Sequence, residues 1–343
     1  MQNEPSILII YTGGTIGMVN DPETGSLAPI NFEHIKKQVP EVSKFAFNIS
    51  SITFDKVLDS SNITPEIWIQ LAKLIEENYN KYDGFVVLHG TDTMAYTASA
   101  LSFLLENLAK PIVFTGSQLP IGTIRTDGKE NFISAIEIAA ATKDGYPLVP
   151  EVSVFFENKL FRGNRTTKHN ADYFDAFRSH NYPELARAGI NISYNYSAIR
   201  YRIVRKAFKV HQKLDKNVAT LRLFPGIQPS VVDAIFNIKG LKGLIIETYG
   251  SGNAPTTPWF IKKIEKVLDK GIIVLNVSQC SAGSVDMGVY QTSLELLEAG
   301  VYSGADITIE AAVTKLMFVL GQSLSKTEIA EYFSKSLRGE INV

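Results

Sequence analysis

The sequence predicts an α/β protein of two domains: a larger N-terminal domain on a mostly parallel sheet flanked by helices, and a smaller C-terminal domain with its own parallel sheet. Three observations carry this. Short β-rich runs alternate with longer helical patterns along most of the chain, as expected of parallel strands joined by crossover helices. The 343 residues exceed what one hydrophobic core usually serves, and 45% of them are apolar, enough to fill two. A basic, polar stretch from Ser193 to Asn217 interrupts the alternation, which then resumes. The domains are therefore placed at 1–192 and 218–343, with 193–217 as linker.

Ile7–Thr12 is the first strand, and Ile52–Val57, Phe85–Leu88, Ile112–Thr115 and Val152–Phe156 follow it, each dominated by β-branched and aromatic residues. Thr64 before Pro65 reads as an N-cap with proline at the first helical position, where a missing N–H costs nothing. That helix should run through Asn80 with Ile67, Leu71, Leu74 and Ile75 on its apolar stripe. A second helix follows Asp92, and a third covers Lys129 to Ala141. In the linker, Arg200, Arg202, Arg205, Lys206, Lys209, Lys213 and Lys216 suggest the wet face of an exposed strand, because no nucleic-acid-binding motif accompanies them. Val218–Leu221, Gly243–Ile246 and Ile272–Val277 are the strands of the second domain. Its helices lie near Val231–Ile238, over Trp259–Leu268 and toward the C-terminus.

Bulk properties exclude several functions. With 34 basic and 35 acidic residues the net charge is −1, so no global field draws nucleic acid or an anionic membrane, and neither is expected as a partner. The single cysteine, Cys280, rules out an intrachain disulfide framework, suits a reducing compartment, and reads as a small buried apolar residue. Met1 to Pro5 carries no basic segment, and the apolar run from Ile7 to Tyr11 is too short for a signal peptide or membrane span. A soluble, cytoplasmic protein is expected.

Cofactor motifs fail on inspection. Gly13, Gly14 and Gly17 do not make G-x-G-x-x-G, and no acidic residue follows at the distance a dinucleotide ribose needs. Between Gly122 and Lys129 the glycines are one residue too far apart for a phosphate loop, and Glu130 stands where Ser or Thr should hold magnesium. His34, His89, His169, His180 and His211 show no metal-ligand spacing, and no serine sits in G-x-S-x-G. Neither a cofactor nor a metal is expected.

What remains is threonine chemistry. Two turns, Tyr11-Thr-Gly-Gly-Thr-Ile-Gly-Met18 and His89-Gly-Thr-Asp-Thr-Met94, each follow a short apolar strand. In an open parallel sheet that edge is where ligands bind. Thr15, Thr91 and Asp92 would converge there, and Arg162-Gly-Asn-Arg-Thr-Thr-Lys168 supplies a lysine after the Val152–Phe156 strand, on the same edge. A threonine hydroxyl is a weak nucleophile until a base takes its proton, and a neutral lysine can be that base. Asp92 could hold Lys168 by hydrogen bonding, although its charge opposes loss of the lysine proton. Each residue also has a structural alternative: helix capping for Thr15 and Thr91, a helix-dipole charge for Asp92, a surface ammonium for Lys168.

These motifs, with Asp59-Ser-Ser61, Thr115-Gly-Ser-Gln118, Tyr249-Gly-Ser-Gly-Asn-Ala-Pro255 and Arg338-Gly-Glu340, resemble those of type I, cytoplasmic, L-asparaginases over nearly the whole length. The resemblance implies an L-asparagine amidohydrolase in which Thr15 forms a β-aspartyl ester that water then hydrolyses. It implies a proton-handling triad of Thr91, Lys168 and Asp92, oxyanion donors among backbone N–H groups near Thr91, and a substrate grip by Ser60, Ser61, Thr91, Asp92 and Ser117. A homo-oligomer, a dimer or a dimer of dimers, is also implied. Many members place a tyrosine in the loop after the first turn, but Thr24-Gly-Ser-Leu-Ala-Pro29 has none. Tyr290, in Asp286-Met-Gly-Val-Tyr290, matches a tyrosine that some relatives supply from an adjoining subunit. Allosteric members bind a second asparagine through an arginine where this chain has Glu247, so activation by asparagine should be weak or absent even though Gln279-Cys280 is kept. The rivals are a glutaminase, a tRNA-dependent amidotransferase subunit and a non-catalytic amino-acid binding protein.

Overall fold

The computed structural model describes residues 4–20, 27–29, 32–201 and 206–342. Thr24, Gly25 and Ser26 of the tyrosine-less loop, and Arg202 and Arg205 of the basic stretch, lie outside the described residues. The chain divides into two compact units, 1–212 and 213–343.

The first unit is built on eight strands: β1 Ser6–Gly13, β2 Asn48–Leu58, β3 Gly84–Leu88, β4 Ile112–Thr115, β5 Val152–Phe156, β6 Lys159–Arg162, β7 Ala186–Ala188 and β8 Ile192–Tyr194. They line up in the order β8-β7-β6-β5-β4-β3-β1-β2. The five from β5 to β2 are parallel; β6, β7 and β8 add an antiparallel edge. Every residue of β3, β4 and β5 is buried, which is why these strands read as unbroken apolar runs instead of alternating ones. The order reverses at β1, whose neighbours are β2 on one side and β3 on the other. A crevice at such a switch point, outside the C-terminal strand ends, is where open α/β sheets bind ligands.

Helices α1 Pro65–Asn78, α2 Met94–Leu104 and α3 Gly128–Ala140 belong to this unit. Thr64 is the N-cap of α1 with Pro65 next, but its side chain makes no capping bond, and the helix stops at Asn78. The buried stripe of α1 is Trp68, Leu71, Ala72 and Ile75, while Ile67 and Leu74 are only partly buried. The stripe is rotated from the sequence expectation because Trp68 points inward, where its indole donates to Thr97 on α2. Helix α2 is buried nearly all round, which its small residues permit. The core on the α3 side joins Ile7, Ile9 and Tyr11 of β1 to Val86, Leu88, Val113, Phe132 and Ile136. Each such side chain contributes roughly 1.5–3 kcal/mol on burial.

Part of the expected linker is ordered into this unit. Ile192–Tyr194 is the outermost strand, Lys209–Val210 pairs with Leu105–Glu106, and the Arg200 N–H donates to Glu151.

In the second unit, β9 Val218–Arg222, β10 Gly243–Thr248, β11 Ile273–Ser278 and β12 Tyr302–Ser303 form a parallel sheet in sequence order. Helices α4 Pro229–Phe236, α5 Pro258–Asp269, α6 Gln291–Ala299, α7 Ile309–Gly321 and α8 Lys326–Ser334 complete it. Its core includes Leu221, Leu244, Ile246, Phe260, Ile264, Val274 and Leu296. The C-terminal tail is fastened by a buried ion pair between Lys315 on α7 and Glu340, 2.6 Å apart.

Candidate active site

The register of the parallel strands fixes which loops meet. Tyr11 of β1 lies beside Leu88 of β3, Leu88 beside Thr115 of β4, and Gly13 beside Leu58 of β2. The loops that follow therefore start level, at the C-terminal edge of the sheet. They touch through glycine. A Cβ on Gly14 would sit 2.4 Å from the Gly90 amide nitrogen, and one on Gly90 would sit 2.6 Å from Ser60 Oγ. Only hydrogen fits at these points, so the first turn packs backbone against backbone on the second, and the second packs against the Ser60 side chain.

Thr15 opens a one-turn 3-10 helix, Thr15–Gly17, whose N-cap is Gly14 at φ 94°. Tyr11, fully buried, closes this turn from beneath by donating its phenol to the Gly17 carbonyl at 3.1 Å. Burial pushes the Tyr11 phenol well above its usual range, so it stays a donor. The Thr15 side chain is partly exposed and has no hydrogen-bond partner among the described residues. Its hydroxyl caps nothing among the described residues.

The second turn behaves differently. Thr91 is buried, and Lys168 Nζ donates to its Oγ1 at 2.8 Å and to Asp92 Oδ1 at 2.6 Å. The Thr91 hydroxyl in turn donates to Gln118 Oε1 at 3.2 Å. Gln118 Nε2 is held by the Ala171 and Tyr173 carbonyls, and its N–H by the Asp127 carboxylate. Burial pushes the Asp127 carboxyl up, and the N–H donors that face it partly offset this. Helix α2 begins only at Met94, so neither the Thr91 hydroxyl nor the Asp92 carboxylate caps it.

Lys168 reaches this edge by a route the sequence does not suggest. After β5 the chain returns antiparallel as β6, putting Arg162 opposite Ser153, away from the edge. The Gly163–Arg165 turn then packs against α2: a Cβ on Gly163 would meet the Ala98 side chain at 3.1 Å, and Ser99 donates to the Gly163 carbonyl. From there Thr167–Lys168, paired with Phe177–Arg178, carries the lysine to the start of α2. Arg162 is clamped to Glu151 by Nε and Nη2, and buried Arg165 stands over the Tyr182 ring. Both arginines of the motif are buried in the scaffold.

The serines lie in the loops that follow β2 and β4 at the same edge. Ser60 is buried against Gly90, and Thr93 donates to its carbonyl at 2.7 Å. Both the N–H and the hydroxyl of Ser61 donate to Asp59 Oδ1, which holds the Asp59 carboxyl below its usual range. Ser117 is buried, and its hydroxyl donates to the Leu119 carbonyl within its own loop.

Two groups near the threonines carry no role in the sequence reading. Gln118 sits inside a quoted motif, but only its contact with Thr91 shows what it orients. His89 has no metal-ligand spacing, yet it is almost fully buried beside the second turn. Its one local sign is its place at the strand end, directly before Gly90-Thr91.

Tyr290 belongs to the second unit, where it is 55% exposed and stands at the N-cap position of α6. Glu247, on β10, accepts from Arg222 at 3.1 Å. Cys280 is exposed, contrary to the expectation of a buried apolar residue. It follows the end of β11, where the chain has left the sheet, and its N–H bonds to Ser278 Oγ. Among the described residues no helix is long and apolar enough to cross a membrane.

Two family models cover most of the chain: asparaginase, N-terminal, over residues 6–200, and glutaminase/asparaginase C-terminal domain over 217–333. The chain is similar to L-asparaginase 1 of Escherichia coli K12, 43% identical over 344 residues and 98% of each protein. It is similar to a 60 kDa lysophospholipase of Mus musculus, 39% identical over 100% of this chain and 64% of that protein. Among solved structures, L-asparaginase I of Vibrio cholerae matches with a TM-score of 0.88 at 40% identity, covering 99% of this chain and 100% of that one.

Proposed function

The chain belongs to the glutaminase/asparaginase family, and from that membership and the geometry at the β1 and β3 strand ends we infer that it hydrolyses L-asparagine to L-aspartate and ammonia. One observation carries the mechanism: Lys168 bridges Thr91 and Asp92 at the edge against which the Gly13–Thr15 turn packs. Thr15, whose hydroxyl is unengaged among the described residues, is the nucleophile. Its Oγ forms a bond to the side-chain amide carbon, the C–N bond breaks, and the hydroxyl proton leaves with the departing ammonia. Water then attacks the β-aspartyl ester, the acyl–oxygen bond breaks, and Thr15 recovers a proton. Covalent catalysis of this kind splits one hard step into two easier ones.

Thr91, Lys168 and Asp92 handle the proton. In the arrangement described the ammonium donates to both neighbours; once it gives up a proton, its lone pair faces the Thr91 hydroxyl. The Thr91 N–H stabilises the oxyanion that develops in both steps. Ser60, Ser61, Asp92 and Ser117 position a very small substrate, and positioning supplies much of the rate. Tyr290 of a neighbouring subunit completes the site in place of the missing loop tyrosine, so the working form is a homo-oligomer, in the cytoplasm. Thr15→Ala tests the reading: ammonia release from L-asparagine should vanish while L-aspartate binding, followed by calorimetry, persists. Turnover retained in that variant would refute it.

A further inference from the structure

A chain of hydrogen bonds runs beneath the second turn. Trp68 Nε1 donates to Thr97 Oγ1 at 3.0 Å, Thr97 Oγ1 lies 2.9 Å from His89 Nε2, and His89 Nδ1 lies 2.7 Å from the Gly90 carbonyl oxygen. Both ends of the chain are unambiguous, because an indole N–H can only donate and a carbonyl can only accept. In a neutral ring every link is then directed: Nδ1 carries the one proton, and the Thr97 hydroxyl, already accepting from Trp68, donates to Nε2. Full burial pushes the His89 imidazolium down to about 4, which keeps the ring neutral and its tautomer single at neutral pH.

The consequence falls on the peptide between Gly90 and Thr91. The described chain has no cis peptide bond, so the Thr91 N–H points opposite to the Gly90 C=O. With that carbonyl turned onto a buried ring, the N–H points the other way, and it has no partner among the described residues. Residue 90 must be glycine because of Ser60, and glycine is the residue least able to hold a peptide plane by itself. We propose that His89 is a positioning residue for catalysis: its Nδ1–H pins the Gly90 carbonyl and so presets the Thr91 N–H as oxyanion donor. The inference rests on the assignment of that N–H to the oxyanion.

The test compares two amides at position 89 in the full-length enzyme. Asparagine can place its amide nitrogen where Nδ1 stands and keep the bond to Gly90, whereas glutamine reaches toward the Nε2 position and Thr97 and leaves Gly90 unpinned. Loss of one oxyanion donor costs roughly 10²–10³-fold in kcat. His89→Gln should therefore lose about that much kcat with KM for L-asparagine within about threefold, and His89→Asn should stay within about tenfold of the parent. Thr97→Val, which removes the group that fixes the tautomer, should fall in between with the turn otherwise intact. Equal kcat in His89→Asn and His89→Gln would overturn the proposal. So would losses in the folded variants that appear in KM and not in kcat. The underlying reading fails separately, through parental enzyme that releases no ammonia from L-asparagine or a Thr15→Ala variant that still does.

Discussion

Replacing Lys168 by methionine should cost little stability and most of the activity, and the disparity is what identifies the residue. Its Nζ stands 2.8 Å from Thr91 Oγ1 and 2.6 Å from Asp92 Oδ1. The Asp92 side chain is 64% exposed and that of Lys168 16%, so the carboxylate end of the ion pair is open to solvent. Such pairs are worth ~0–1 kcal/mol, and methionine keeps much of the aliphatic stem, so the melting temperature should fall by no more than about 4 °C. A positioned proton carrier, by contrast, contributes roughly 10²–10⁴-fold to rate, which is ~3–5 kcal/mol at the transition state. The assay pairs steady-state ammonia release from L-asparagine with a thermal melt of the same preparation. Lys168→Arg sharpens it, since a guanidinium keeps the charge but does not give up its proton, and should be as impaired as methionine. Activity within tenfold of the parent in Lys168→Met, or restored in Lys168→Arg, would refute the proton-carrier role. A melting temperature lowered by more than about 10 °C would mark the lysine as structural instead.

Two further outcomes follow from the second unit. Tyr290→Phe should lower kcat without altering the melt, and specific activity of the parent should fall on dilution as subunits separate; an active dilute monomer, or unchanged turnover in the variant, would exclude a tyrosine supplied in trans. Glu340→Gln should destabilise by ~3–5 kcal/mol in urea unfolding, because it strands a buried ammonium, and the double variant with Lys315→Met should recover most of that loss. Burial alone would raise the Glu340 carboxyl, but Lys315 and the N–H groups of Leu337 and Arg338 outweigh it and hold it below its usual range. Its contribution to stability is therefore complete above about pH 5 and is lost on acidification through the lower folded value. A parent and a Glu340→Gln variant with the same acid dependence would contradict this.

Much of the fold is legible because it is written locally. Strand positions follow from β-branched runs, and crossover helices from periodicities of three and four residues. Errors appear where a local pattern admits two solutions. In α1 both the Ile67 set and the Trp68 set make a stripe at helical spacing, and packing against Thr97 selects the second. Cys280 is apolar by composition but exposed by position, since it lies beyond the last residue of β11. The Val152–Phe156 strand is where sequence places it, yet the turn back into β6 that carries the chain away from the edge is not signalled by its apolar pattern.

The sequence by itself determined the two-unit α/β build, the glycine turns after β1 and β3, and the kinds of group available for chemistry, because each depends on residues within one or two turns of chain. Only the tertiary structure decided which of those groups meet. Strand order sets β1 beside β3, so turns more than seventy residues apart pack together at one edge, and Lys168 meets Thr91 across 77 residues of sequence. The same packing buries His89 beneath Gly90 while leaving Thr15 without a partner among the described residues. Hydrogen-bond partners so far apart leave no mark in local periodicity, since a strand's pattern records which faces are covered and not which residue covers them.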